Sequence, residues 1–481
     1  MAQRYKKVLL VNPPYRGSRV RVVFCAGLGY IAEALETAGI EYDLIDMSPG
    51  LSFADLATKI QSFQPDVLGI SVMTYRYKDT YQLLATIKAH FPQLAIIVGG
   101  AHISLLREKV LQDCPAIDYG VVLEGEDSLV ELCQGAPEEV KGIFVRQADG
   151  GIRFTGERPF QENLDSRPFP KYRKFDLAAA FNKELNALPI VSSRGCPFHC
   201  SYCPVQFAVG RCFRARSPQH ILEEIRYWYQ QGFRRFSFAD DNFTLIRERV
   251  DQLCDAILAS EMRDLLLSCD NGIRADRVDR ELLAKMRRAG FYRIAFGVEA
   301  GTDKVLKRLH KNETIATITA RIEEACSLGY EVDLFFLVGA PEETWEDLEA
   351  SFRIALKYPI GVAYFYNIIP FPRTELFTWI EANGKFLANP DDYLNDYPIL
   401  DNQPLFETVD MPYRIRKKAL AKAFAITRQT MRRSWERRLS HLGVWAKVLA
   451  YVYTASFTQN VILRSRITRH LVYKLSHKII S

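Results

Sequence analysis

Two trains of short apolar runs, each run followed by an amphipathic stretch, set the architecture open to this 481-residue chain. The first train is KVLLVNPP (7–14), YDLIDM (42–47), DVLGISVMT (66–74), LAIIVGGAH (94–102) and YGVVLEGE (119–126). Stretches with helical spacing, LGYIAEALETAG (28–39) and TYQLLATIKAHF (80–91), lie between them. Runs that are apolar throughout belong to strands buried on both faces, and the intervening helices supply the cover. Residues 1–145 are therefore expected to form a parallel α/β sheet domain. The second train is LPIVSSR (188–194), FRRFSFADD (233–241), LLLSCDN (265–271), YRIAFGVEA (292–300), EVDLFFLVG (331–339) and VAYFYNIIP (362–370), again with helical stretches such as HILEEIRYWYQQG (220–232). Six β–α units predict a partial or full (β/α) barrel over 188–400, with function carried by loops at the C-terminal strand ends. Residues 146–187, charged and proline-rich, read as a connector, and 401–481 as a basic helical region.

In the first domain, polar residues and glycines gather just past the strand ends: Asn12, Ser71, Thr74, Gly99, Gly100, Glu124 and Gly125. That crevice is where an open α/β sheet takes its ligand. No G-x-G-x-x-G follows the first run and no G-x-x-x-x-G-K-[ST] occurs, which argues against a dinucleotide site or a phosphate loop. The N-terminal apolar run VLLV is too short for a signal peptide and reads as a buried strand. Ten cysteines in this length are no disulfide scaffold, so a reduced, cytoplasmic setting is expected.

Three of those cysteines fall within eight residues, in RGCPFHCSYCPV (194–205). Cys196, Cys200 and Cys203 have the spacing C-x3-C-x2-C, and thiolates that close can converge on one metal object. A structural zinc site wants four ligands, and the fourth is not obvious here: His199 lies inside the loop and Cys212 lies nine residues beyond Cys203. Three thiolates on a [4Fe–4S] cluster would instead leave one iron open to bind and activate something. Unrelated buried cysteines are the third reading.

The run R-G-C-P-F-H-C-S-Y-C-P resembles the cluster loop of radical S-adenosylmethionine (SAM) enzymes, with Tyr202 as the aromatic residue before the last cysteine. The resemblance implies that Cys196, Cys200 and Cys203 hold a [4Fe–4S] cluster whose open iron is chelated by S-adenosylmethionine, which one electron then cleaves to a 5′-deoxyadenosyl radical. It further implies cosubstrate contacts at FADDNF (238–243), through Asp240, Asp241 and Asn242, and at GVEAG (297–301), through Glu299. The turn LVGAPEET (337–344), with Gly339 and Pro341, would lie close to the adenosyl group, and Arg274 of the IRAD segment would reach the site. Arg211 and Arg214–Arg216 are expected either to meet anionic groups or to be solvated surface.

The front domain resembles the cobalamin-binding domain of the B12-dependent radical SAM class, so the expected fold is an N-terminal Rossmann-like cobalamin domain, a radical SAM barrel and a helical C-terminal region. The matching pieces are NPP (12–14), with Asn12 and Pro13, Ser71 to Thr74, VGGAH (98–102), with Gly99, Gly100 and His102, and EGE (124–126), with Glu124 and Gly125. In relatives these loops surround the corrin and its nucleotide tail. This chain departs from the D-x-H-x-x-G pattern that supplies a cobalt ligand: NPPYRGSRVRVVFCAGLG (12–29) has no histidine, and His102 follows the fourth strand, so it is not expected to be an axial ligand. The resemblance implies a C-methyltransferase that moves a methyl group through methylcobalamin to an unactivated carbon. Rearrangement or ring contraction with the same cofactors is the alternative, and a non-catalytic iron–sulfur sensor belongs to a second functional class. Radical abstraction demands no side-chain acid or base, and none is nominated.

Charge is uneven. Of 63 basic and 57 acidic residues, sixteen Lys/Arg and a single acid, Glu436, fall after residue 410, which leaves +15 on the tail and −9 on the body. RIRKKALAKAFAITRQTMRRSWERRL (414–439) and the more apolar HLGVWAKVLAYVYTASFTQNVIL (441–463) suit either a helical layer docked on the acidic body or peripheral contact with the inner face of an anionic membrane. Membrane contact would favour a lipidic or isoprenoid-like substrate. Nothing resembles an RNA-binding module, so no nucleic acid is expected. The resemblance also implies a low-potential electron donor such as flavodoxin or ferredoxin.

Overall fold

The computed structural model describes residues 4–14, 25–177, 186–396 and 403–455. The segment 15–24, in which the missing histidine was sought, and the tail from 456 lie outside the described residues.

The first sheet has seven strands in the order β2-β1-β3-β4-β5-β6-β7. Its parallel part comprises β1 (Lys7–Asn12), β2 (Glu41–Asp46), β3 (Val67–Ser71), β4 (Ala95–Gly99) and β5 (Tyr119–Val121). Val8, Leu9, Leu10 and Val11 of β1 are sealed from solvent, as a run apolar at every position requires. The chain order reverses between β1 and β3, which opens a crevice above their C-terminal ends. The sheet then continues past residue 145: β6 (Ile143–Arg146) and β7 (Ile152–Phe154) add an antiparallel hairpin. Sequence reading placed 152–154 in the connector because β7 is a three-residue edge strand without a buried side chain.

The second sheet is wholly parallel in the order β15-β14-β13-β12-β11-β8, made of β8 (Leu188–Ile190), β11 (Arg235–Phe238), β12 (Leu266–Ile273), β13 (Phe291–Glu299), β14 (Glu331–Val338) and β15 (Ala363–Asn367). Among the described residues β8 and β15 do not pair, so the barrel is partial. The expected strand 188–194 divides: β9 (Ser193–Arg194) leaves this sheet and pairs antiparallel with β10 (Arg214–Ala215), and the two bracket the cysteine loop. A further hairpin, β16 (Gly384–Phe386) with β17 (Phe406–Thr408), crosses the expected boundary at residue 400.

An open sheet leaves unpaired backbone groups on its edge strand, and these must find cover. At β15 the cover is the helix Tyr413–Arg438. Its buried positions Arg416, Ala419, Leu420, Ala423, Ile426, Thr430 and Ser434 recur at helical spacing, and the two alanines permit close approach. The Thr430 hydroxyl accepts the Ala363 amide at 3.1 Å, and Arg433 donates to the Leu356 carbonyl at 3.0 Å. Lys422 and Arg438 pair with Glu349 and Glu331 of the body. The basic helix thus docks on the acidic body. The helix after it, Val444–Thr454, buries only Ala446, Ala450 and Thr454. Among the described residues no helix is long and apolar enough to cross a membrane.

Substituting Thr430→Val keeps the shape of the helix but leaves the buried Ala363 N–H unpaired, at a cost of about 1–3 kcal/mol. A lowered apparent Tm relative to the unsubstituted protein is the expected result.

Candidate functional site

The ligand-binding ends of the two sheets face each other across the domain boundary. Past β4, the Ser104 and Leu105 carbonyls accept from Arg373, which follows β15, at 3.2 and 3.0 Å. Past β5, Glu124 accepts from Arg214 at 2.6 Å and lies 3.3 Å from Arg194, while Glu126 accepts from Arg194 at 2.6 Å. Past β8, the Val191 carbonyl accepts from Tyr30 at 3.2 Å. The two sets of strand-end loops are therefore joined directly by hydrogen bonds and ion pairs.

The cysteine loop is pinned on several sides. Gly195 has φ +86°, and a Cβ there would lie 2.1 Å from the Cys212 carbonyl oxygen, so only glycine fits. Cys196 N–H donates to the Gly210 carbonyl at 3.2 Å, and Ser201 N–H to that of Leu309 at 3.1 Å. Before the loop, Asp240 accepts the Ser192 and Ser193 amides at 2.7 and 2.8 Å and also the Ser192 hydroxyl. Asp240, expected as a cofactor contact, is buried and fastens the chain that enters the loop.

Burial raises the pKa of all three thiols, that of Cys203 to about 12. Cys196 adds to the rise at Cys200, and both add to it at Cys203, so the three share one electrostatic space. Lys311 and Arg274 oppose it at Cys200. Among the described residues no three His, Cys, Asp or Glu side chains gather tightly enough for one metal ion. Three thiols on one pinned loop, with the charges of Lys311 and Arg274 reaching them, fit an anionic cluster.

Lys311, which sequence reading missed, is buried with Glu299 at 3.1 Å and Glu313 at 3.5 Å. The G-V-E-A-G segment follows from that pair: a Cβ on Gly297 would meet Glu299 Oε1 at 2.5 Å and Lys311 Nζ at 2.9 Å. Glu299 itself takes φ +64°, a strained backbone for a side-chain-bearing residue. Arg274 stacks 3.8 Å over Phe198 of the loop and pairs with Asp276. Desolvation, then the Asp240 charge, lifts the Asp241 carboxyl to about 6, and the charge of Asp241 reaches Cys196 and Cys203. The Asn242 side chain is buried with neither polar atom partnered among the described residues. Burial, then the Glu299 charge, holds the proton on Tyr202. Gly339 and Pro341 form a buried turn at the end of β14. On the strand face that bears Asp333 and Arg293, Phe335, Tyr364 and Tyr366 build an aromatic wall: the tyrosine rings stack at 6.1 Å, and Tyr366 is 45% exposed.

On the opposite lip, Asn12 is held by Asp46 at 2.9 Å, with Pro13 buried beside it. Ser71, Thr74 and Gly100 cluster at the ends of β3 and β4, where a Cβ on Gly100 would lie 3.0 Å from the Val72 carbonyl oxygen. A Cβ on Gly99 would meet nothing within 4 Å, and Met73 stands 44% exposed between Ser71 and Thr74. Open space above bare backbone with an apolar neighbour fits a bulky planar ligand such as a corrin. Two expected contacts have partners within the protein. His102 is fully buried, stacked on Tyr77 at 4.4 Å and bonded through Nε2 to Tyr81 at 2.8 Å; burial lowers its pKa to about 3 and keeps it neutral. Glu124 is spent on Arg194 and Arg214, while Gly125 lets the helix Glu126–Gln134 pack against Ile31. Arg214 and Arg216, read as ligand contacts or solvated surface, are buried in ion pairs with Glu124 and Glu224.

Comparison with known proteins agrees with this geometry. Residues 190–355 match the family model of the radical SAM superfamily, and residues 17–133 match that of the B12 binding domain. An uncharacterized methyltransferase of Pyrococcus horikoshii, PH0819, is 30% identical over 397 residues, 79% of this chain and 84% of that protein. The cytidylyl-2-hydroxyethylphosphonate methyltransferase of Streptomyces wedmorensis is 28% identical over 82% of this chain and 84% of its own. The radical SAM methyltransferase TsrM of Kitasatospora setae has a similar fold, with a TM-score of 0.68 at 19% identity, covering 78% of this chain and 76% of that one.

Replacing Cys196, Cys200 or Cys203 by Ala is expected to abolish cluster incorporation, read as iron per chain falling from about four toward zero. Cys212→Ser, at an exposed position, should leave iron content unchanged.

Proposed function

This chain belongs to the cobalamin-dependent radical S-adenosylmethionine enzymes, and we propose that it is a C-methyltransferase acting on an unactivated carbon of an apolar, lipid-like substrate. Its cofactors are a [4Fe–4S] cluster, S-adenosylmethionine and cobalamin. The observation that carries the proposal is the direct joining of the two sets of strand-end loops: Glu124, past β5 of the front domain, is bonded to Arg214 and ion-paired with Arg194, which flank the cysteine loop. That relatives PH0819 and the phosphonate enzyme are named methyltransferases supports methyl transfer over rearrangement.

Bound together, the groups would supply hydrogen abstraction from carbon on one side and a methyl donor on the other. Cys196, Cys200 and Cys203 would hold the cluster, with Lys311 and Arg274 compensating its charge. Glu299, Asp241, Asn242 and Tyr202 would line the cosubstrate, and Asn12, Ser71, Thr74, Gly99 and Gly100 the corrin. The chain's own contribution is positioning and exclusion of water, since two reactants fixed face to face need no collision. The wall of Phe335, Tyr364 and Tyr366 would take an apolar substrate by contact area and stacking. A groove of about 400 Å³ beside Cys200, lined by Arg211, Arg373 and Glu375, would give a low-potential electron donor a place to approach.

The lipid-like substrate draws further support from the helix Val444–Thr454. Val444 is 81% exposed, Trp445 68% and Tyr451 59%, beside the basic helix Tyr413–Arg438. Apolar side chains flanked by cations suit the inner face of an anionic membrane, where a cytoplasmic enzyme would meet such a substrate.

The central test is oxygen-free reconstitution with iron, sulfide and hydroxocobalamin, followed by reductant and S-adenosylmethionine. About four irons and about one corrin per chain, with both 5′-deoxyadenosine and S-adenosylhomocysteine formed, are expected. Deoxyadenosine without S-adenosylhomocysteine would overturn the methyltransferase reading. For the membrane contact, the full chain should float with phosphatidylglycerol vesicles at low salt and be released at high salt. The triple variant Val444→Ser, Trp445→Ser, Val448→Ser should stay at the bottom of the gradient; equal flotation would remove the membrane reading.

A further inference from the structure

Arg416 heads the largest side chains wholly removed from solvent, a rare place for a guanidinium. It comes from the first turn of the helix Tyr413–Arg438, far in sequence from any cofactor loop. Both terminal nitrogens donate to one acceptor, the Gly339 carbonyl, at 3.3 Å each, and the guanidinium lies 3.9 Å over the Phe406 ring of β17. Gly339 is held from its other polar group as well: its N–H donates to the buried carboxylate of Glu343 at 2.6 Å, and the Ala340 N–H reaches the same oxygen at 3.2 Å. Both hydrogen-bonding groups of one residue are thus fixed between the carboxyl of Glu343, just ahead of the following helix, and a cation of the C-terminal region. The contact is so close that a Cβ on Gly339 would lie 1.6 Å from Arg416 Nη1, and φ there is +97°.

The turn so fixed, Gly339–Pro341, ends β14. Its neighbour in the sheet is the end of β13, where Glu299 pairs in register with Phe336. In a parallel barrel the strand ends on this side build the ligand site, so the height and tilt of this turn set one side of the crevice beside the Glu299–Lys311 pair. We infer that Arg416 is a positioning residue for the cosubstrate site, latching the Gly339–Pro341 turn from beneath so that the C-terminal helix is a working part of the barrel. The inference rests on the reading that S-adenosylmethionine lies along these strand ends. A buried charge whose two terminal nitrogens share one backbone carbonyl contributes little net stability over an apolar side chain of similar size. Its expected value is geometric.

Arg416→Met preserves bulk and removes the donors, Arg416→Lys keeps the charge, and Glu343→Gln weakens the opposing hold. Hydrogen–deuterium exchange on the full-length, cofactor-free chain reads the latch directly. In Arg416→Met the Gly339 and Ala340 amides should exchange at least about tenfold faster, with strand β1 unchanged and Glu343→Gln shifting the same peptide. Uncoupled cleavage of S-adenosylmethionine to methionine by the cluster-loaded enzyme reads the consequence. Half-saturation should rise about tenfold in Arg416→Met while the maximal rate stays within about twofold, with Arg416→Lys intermediate. Unsubstituted exchange and half-saturation in Arg416→Met would overturn the inference, as would a fall in maximal rate at unchanged half-saturation. If Arg416→Met does not fold, Arg416→Lys decides: wild-type values in both measurements would overturn it. Neither measurement involves corrin or methyl transfer, so failure of the methyltransferase reading and failure of the latch are told apart.

Discussion

The position of the cluster loop depends on one buried electrostatic junction. Glu124 and Glu126, at the end of the first sheet, meet Arg194 and Arg214, and the four side chains are almost wholly shielded from solvent. The two arginines belong to β9 and β10, the paired strands on either side of Cys196, Cys200 and Cys203. Removing one partner of such a pair leaves an uncompensated buried charge and costs about 3–5 kcal/mol, whereas the intact pair adds little beyond an apolar replacement. Its value lies in registry. A hydrophobic contact tolerates sliding; two arginines on one carboxylate do not. The loop is thereby placed with respect to the front domain as well as to its own barrel.

The rest of the site inherits that placement. Asp240 ties the chain before the loop to the end of β11, Ser201 ties its middle to the Leu309 carbonyl, and Arg249 donates to both the Ser192 carbonyl and hydroxyl. These bonds are short-range and largely buried, where a hydrogen bond is strong and leaving one unmade is costly. A catalytic centre that must hold two large cofactors at fixed separation is well served by backbone groups spent on the scaffold, with side chains left for the ligands.

Much of this was legible in the chain because the signals were local. Strands apolar at every position could only be interior, and the three cysteines declared themselves by spacing. What stayed hidden depended on partners distant in sequence. Glu124 looked like a ligand contact because its counter-ion Arg214 lies 90 residues away, and Lys311 carries no motif at all. Asp240 and Asp241 are adjacent and chemically identical; one fastens the chain before the loop while the charge of the other reaches two of its thiols, and the irregular turn past β11 decides which. His102 had the right residue type at a strand end, but Tyr77 and Tyr81 of the preceding helix claim its ring. The hairpin β6–β7 and the pairing of β16 with β17 escaped because strands of three or four residues are too short to show a period.

The cover on β15 has a temporal side. Ala363 and Thr430 are 67 residues apart, so the helix that covers this edge is made well after the strand itself. At a synthesis rate of roughly 5–20 residues per second, the nascent second sheet spends several seconds complete on the ribosome with its last strand uncapped. An uncapped parallel edge is a template for neighbouring chains. Yield of the intact protein is thus coupled to how quickly the helix Tyr413–Arg438 emerges behind that strand.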